Sequence, residues 1–136
     1  MKVPVLSVWQ PWASLLVSGI KNIENREWKL PEKFLNQKIY IHASKKKDWF
    51  EFEIANQKFQ SFMNNKESLQ PSNSDSWKFG GIIGWVIFDK IVTESESIWY
   101  FGTYGFHVKE FGEIPFLECR GHQKIFYVDL KEQKDA

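Results

Sequence analysis

The chain has 136 residues, a formal net charge of +1 from 18 basic and 17 acidic side chains, and 43% hydrophobic and 17% aromatic residues. That length suits one compact domain with a single core, and the composition excludes a disordered chain. The near-neutral balance excludes a protein coated in cations for non-specific nucleic-acid binding, so any such contact has to be local.

"VLSVW" at residues 5–9 is a β-prone run that stops at Pro11, a residue suited to a helix start because its missing N–H would be unpaired there anyway. In "PWASLLVSG" only Ser14 and Ser18 are polar after the proline, and Gly19 is able to take the left-handed conformation that closes a helix. A short, largely buried helix is expected. "KNIENREW" (21–28) follows as an extended segment in which alternation places Glu24, Arg26 and Trp28 on one face and Ile23, Asn25 and Glu27 on the other. "QKIYIHAS" (37–44) is a clearer strand, with Ile39, Ile41 and Ala43 opposite Tyr40, His42 and Ser44.

From about Asp48 to Met63, Trp49, Phe52, Ala55, Phe59 and Phe62 recur every three or four residues, the mark of a second, amphipathic helix. "NNKESLQPSNSDS" (64–76) is polar and has neither period, so it reads as an exposed, flexible loop. "GGIIGWVIFDKIV" (80–92) is apolar on both faces through Phe88 and predicts a central strand whose glycines admit close backbone approach. "YGFHVKEF" and "HQKIFYVDL" are two further strands joined through "GEIPFLECRG", and the terminal "KEQKDA" is expected to fray.

The order strand, helix, two strands, helix, three strands has no regular βαβ alternation. The fold class expected is α+β: a small mixed barrel of about five to six strands with two helices, one domain over residues 1–136, and a cleft beside the helix that packs across the sheet.

Seven tryptophans and twelve phenylalanines exceed what a small core readily hides, so some rings should line a groove. In "GIKNIENREW" the carboxylate of Glu24 and the guanidinium of Arg26 stand two residues apart, with Lys21 at the entry. Spacing alone leaves open a surface ion pair, worth about 0–1 kcal/mol. "LSVWQPWASLLVSGIKNIENREW" nevertheless resembles the start of an ASCH domain, a family of the PUA-like superfamily with the signature Gly-x-Lys-x-x-Glu-x-Arg. Gly19, Lys21, Glu24 and Arg26 match it at each defined position, and the likeness continues through "IYIHASK", "GGIIGWVIF", "YGFHV" and "IPF". Trp9 departs from it, standing where many relatives have a basic residue before Gln-Pro-Trp.

The resemblance implies a PUA-like β-barrel whose cleft binds RNA or a nucleotide through the signature residues. Arg26 offers a planar fork for a phosphate or base edge, Lys21 a point charge, and Glu24 an acceptor for an amine or ribose hydroxyl. Trp9 and Trp28 are the first candidates for stacking on a base, His42 and Ser44 for helping to form the cleft, and Trp12 for the core. The alternative is a hydrolase acting on RNA or on a modified nucleoside such as acetylated cytidine, with Lys21, Glu24 and His42 as catalytic candidates. Against the amidohydrolase version, Glu24 occupies the place of that pattern's threonine, so the hydroxyl nucleophile is missing. Lys45, Lys46 and Lys47 form a cationic run that is either solvated or set against a phosphate backbone.

His107 and His122 lack carboxylates or cysteines at ligand spacing, and Cys119 is the single cysteine, so no metal, disulfide or cofactor is expected. A protein partner at the exposed aromatics and the 64–76 loop is a further possibility. No apolar run reaches membrane-span length and no secretory leader is visible, which makes the cytoplasm the expected location, with no membrane contact.

Overall fold

A computed structural model describes residues 1–47, Gln57 and residues 78–130. In chain order it contains β1 (Lys2–Gln10), α1 (Trp12–Val17), β2 (Ile23–Arg26), a 3-10 turn at Glu32–Phe34, β3 (Lys38–Lys47), β4 (Gly81–Val92), β5 (Tyr104–Glu118) and β6 (Ile125–Asp129). The strands form one six-stranded mixed sheet in the order β2-β5-β4-β3-β1-β6. Among the described strands only β1 and β3 run parallel, with Val5 opposite Tyr40 and Ser7 opposite His42. Among the described residues the sheet curls into a half-barrel, in line with the small mixed barrel that the element order predicts and the PUA-like fold that the resemblance implies. The second helix expected over 48–63 and the 64–76 loop lie outside the described residues, apart from Gln57, which is helical and exposed.

The sheet is curled around a core that includes Leu6, Ile39, Ile41, Val86, Phe88 and Phe106. Phe88 and Phe106 meet edge to face, with ring centroids 5.4 Å apart. Burying side chains of this size contributes roughly 1.5–3 kcal/mol each, which selects the register that turns them inward. β4 is the third strand of the six, and its first four residues are all buried, in line with its two-sided apolar pattern.

α1 buries Ala13, Leu15, Leu16 and Val17. It approaches β4 closely at Gly84, where a Cβ would stand 2.8 Å from Val17 Cβ and 2.3 Å from the Gly112 carbonyl. Gln10 governs where the helix begins. Its side chain is fully buried, its Oε1 accepts the Ser14 N–H at 3.0 Å, and its Nε2 donates to the Lys78 carbonyl at 3.0 Å. One of the four N–H groups that a helix start leaves unpaired is thereby satisfied. Gly19 ends the element at φ +82°, and the Lys21 N–H returns to the Leu15 carbonyl at 3.0 Å.

One element is longer than its sequence suggests. "GEIPFLE" belongs to β5 rather than to a connection, so the link to β6 shrinks to residues 119–124. β2 pairs with β5 only through His107, and Pro115 lies where the β4–β5 register shifts between Ile82 and Gly84. A residue without an N–H is tolerated at such an irregularity.

Candidate functional site: the cleft beside the first helix

β2 and β6 are the two end strands of the sheet. β6 covers β1 only as far as the Leu6–Ile125 pair, so from Ser7 onward β1 faces the other end of the half-barrel without an intervening strand. A cleft of about 1440 Å³ opens here, walled by β1, α1, β2, β3 and the 119–124 segment. Trp9, Lys21, Glu24, Arg26, Trp28, His42 and Ser44, the seven ligand-binding candidates from the sequence, all line it.

Three of them form its floor. The Lys21 ammonium donates to the Ile23 carbonyl and lies 3.4 Å from Glu24 Oε1. Arg26 Nε donates to Glu24 Oε2 at 2.7 Å, and Arg26 Nη2 donates to the Ser7 carbonyl at 2.7 Å. Lys21 and Glu24 are 3% and 5% exposed, so this is no surface ion pair. Each Glu24 oxygen faces a cation, the compensation that buried charge requires. Rings complete the cluster: Lys21 Nζ stands 5.6 Å from the Trp12 ring centroid and Arg26 Cζ 5.9 Å from that of Trp28, within cation–π reach.

Aromatic residues form one wall. Trp9 follows Val8 at the point where the β1–β3 register shifts, and it is 42% exposed. Trp28 is half-buried, its ring set edge-on against core Phe106 at 5.4 Å. Trp12 packs edge-on against Trp99 at 6.4 Å and against the core, as the sequence leads one to expect, and it also lines the cleft. Phe101, which the sequence reading did not single out, is 58% exposed on the same cleft. Asn25 holds its backbone, accepting the Phe101 N–H at 3.0 Å and donating to the Trp99 carbonyl at 2.8 Å.

A further part of the lining is the 119–124 segment, "CRGHQK", likewise overlooked as part of the site. His42 anchors it. His42 Nε2 lies 2.8 Å from the Cys119 carbonyl, which can only accept, so Nε2 carries the proton and Nδ1 accepts from the Ser7 hydroxyl at 3.2 Å. Burial holds the His42 pKa below its ordinary value of 6.5, outweighing the bond to Cys119, and the neighbouring His122 and Lys45 charges lower it further. Gly121 sits tight against both groups, with a Cβ there falling 2.7 Å from His42 Cε1 and 2.9 Å from Ser7 Oγ. Burial also pushes the Cys119 thiol up, away from thiolate chemistry.

The three catalytic candidates are all engaged: His42 through both ring nitrogens, Lys21 and Glu24 with each other. Ser44 stands half-buried on the cleft, and Lys45, from the cationic run, is exposed on it. The side chains of Lys46 and Lys47 lie outside the described residues. Among the described residues no group of three or more His, Cys, Asp or Glu side chains is placed to hold a metal ion. No helix among them is long and apolar enough to cross a membrane.

Comparisons with known proteins agree with this architecture. Over 42 residues the chain is 52% identical to human activating signal cointegrator 1, a stretch that makes up 31% of this chain and 7% of that protein. The crystal structure of an ASCH protein from Zymomonas mobilis superposes with a TM-score of 0.52 at 18% identity, covering 97% of this chain and 90% of that one. A single-substitution variant of the same protein gives 0.52 and 18% over 99% and 95%. At that identity the likeness is one of fold. The ASCH domain family model matches residues 6–115, and with the Gly19–Lys21–Glu24–Arg26 signature lying at the end of α1 and along β2, the chain belongs to the ASCH domain family.

Proposed function

We propose that the cleft binds RNA or a nucleotide by receiving an unpaired base. The observation that carries this reading is the meeting, in one open cleft, of exposed aromatic rings with cationic side chains. Trp9, Trp28 and Phe101 offer ring faces or edges on which any base stacks, worth about 1–3 kcal/mol per base. Lys45, Arg120 and Lys124 offer positive charge to the phosphates. Membership of the ASCH family and the near-neutral net charge both support contact confined to one site.

Binding is favoured over hydrolysis because the groups a hydrolase would need are spent on structure. A general base has to reach its substrate's proton, and His42 accepts from Ser7 while donating to Cys119. The test titrates the native protein and Trp9→Ala with short single-stranded RNAs and nucleotides, following tryptophan fluorescence and the melting temperature. Trp9→Ala should weaken binding roughly 5- to 150-fold, the equivalent of about 1–3 kcal/mol, without lowering the unliganded melting temperature. Undiminished affinity in Trp9→Ala and in Trp9→Ala/Phe101→Ala removes the cleft from RNA binding. Shortened RNA among the products would replace binding by catalysis.

A further inference from the structure

Building on the reading of the cleft as a base-binding site, we propose that the 119–124 segment is its phosphate contact and that the ligand is a single-stranded RNA of several nucleotides, not a free nucleoside or mononucleotide.

The cations divide into two kinds. Lys21 and Arg26 are committed to Glu24 and to the Ile23 and Ser7 carbonyls. Arg120 and Lys124, with Lys45 of β3 nearby on the same cleft, are exposed and make no ion pair with any described residue. Glu118 is the acidic residue on this wall, and it too makes no ion pair with a described residue. In a chain of net charge +1 such a concentration is local, and it lines the same cleft as Trp9 and Trp28.

The segment is also held in place, unlike an ordinary lysine-rich turn. Its first residue gives its N–H to the Gly80 carbonyl at 3.2 Å and takes the buried His42 N–H at 2.8 Å. Gly121 packs against His42 and Ser7, Lys124 adopts a left-handed φ of +55°, and the next residue enters the β1–β6 ladder opposite Leu6. Arg120 and Lys124 therefore project from a fixed backbone, so little ordering entropy is lost when a strand of phosphates meets them.

Size points the same way. The cleft, at about 1440 Å³, is larger than the roughly 300–1,000 Å³ that accommodates a drug-sized molecule, and one nucleoside would leave much of it unfilled. Bases directed at the aromatic wall and phosphates at the 119–124 segment would use both.

The experiment measures binding of a fluorescein-labelled octaribonucleotide across a salt series, beside unlabelled adenosine and uridine, to the native protein, Arg120→Gln/Lys124→Gln and Trp9→Ala. The native protein should bind the octamer at least tenfold more tightly than either nucleoside. The double variant should lose octamer affinity, and its plot of log K against log salt should flatten by about 1.4, close to 0.7 per single-strand phosphate contact removed. Its nucleoside affinity should stay unchanged, whereas Trp9→Ala should lose both. If the double variant melts below the native protein, Lys45→Gln alone should flatten the slope by about 0.7. An unaltered slope with octamer binding intact overturns the phosphate assignment and leaves base binding standing. Equal affinity for nucleoside and octamer overturns the polynucleotide assignment. Trp9→Ala that binds octamer like the native protein counts against the base reading instead, and a native protein that binds no RNA overturns both.

Discussion

The floor of the cleft and its 119–124 wall are both cationic, and they hold their charge in opposite ways. On the floor, Lys21 and Arg26 bracket Glu24 so closely that two of the three side chains are nearly sealed from water. On the wall, Arg120 and Lys124 stand in solvent on a backbone that His42 and Ser7 pin from beneath. A charge saturated within the protein shapes a site, because a ligand must outcompete existing bonds to reach it. An exposed charge on a rigid support is available to a ligand immediately. The family signature thus reads first as architecture, and the proposed phosphate contacts are residues outside it.

The largest effect that would break this contrast is on the floor. Glu24→Ala leaves the buried Lys21 ammonium without its carboxylate, and a loss of about 3–5 kcal/mol in urea unfolding is expected. A loss below 1 kcal/mol would mean that the floor is as solvated as the wall. Next comes Gly121→Ala, whose methyl group would collide with the His42 ring. Overpacking of this kind costs about 1–3 kcal/mol, and displacement of the segment should weaken octamer binding while nucleoside binding persists.

The smallest effect is the pH dependence of His42. Its folded pKa lies below the ordinary 6.5, so on acidification the unfolded chain takes up the proton first. Its contribution to stability is complete above pH 6.5 and is lost as the pH falls from there toward the folded pKa. Urea midpoints measured between pH 5 and 8 should fall on the acid side, and His42→Gln should flatten that part of the profile. The His122 and Lys45 charges add to its resistance to protonation, so Lys45→Gln should raise the folded pKa toward 6.5 and make the decline smaller, ending at higher pH.

Much of the fold was legible because it rests on local patterns. The order of the six described strands, the buried α1, the left-handed Gly19 and the central β4 each follow from periodicity or from a single glycine or proline. The floor was legible as a set of residues, since alternation puts Glu24 and Arg26 on one face, but not as a saturated network. That needs the Ser7 carbonyl, 19 residues away. The 119–124 wall was the least legible part: pairing of β6 with β1 carries it against His42, 77 residues earlier than Cys119, and no period encodes that contact. The signal present was a glycine-containing turn with two cations and a histidine between strands, a pattern that solvated turns share. Trp12 was half legible, because an apolar helix position announces burial and says nothing of the rim it also forms.

The bond from Arg26 to the Ser7 carbonyl has a mechanical side. Where strands join through a backbone ladder, their separation is fixed near 4.7–4.9 Å. Here β2 is tied to β1 across the floor by a guanidinium on a flexible stem, so their spacing follows a rotamer and changes without any main-chain hydrogen bond being broken. The barrel is fastened by a clasp where another fold would have a weld, and the cleft can adjust its width at little cost to the sheet.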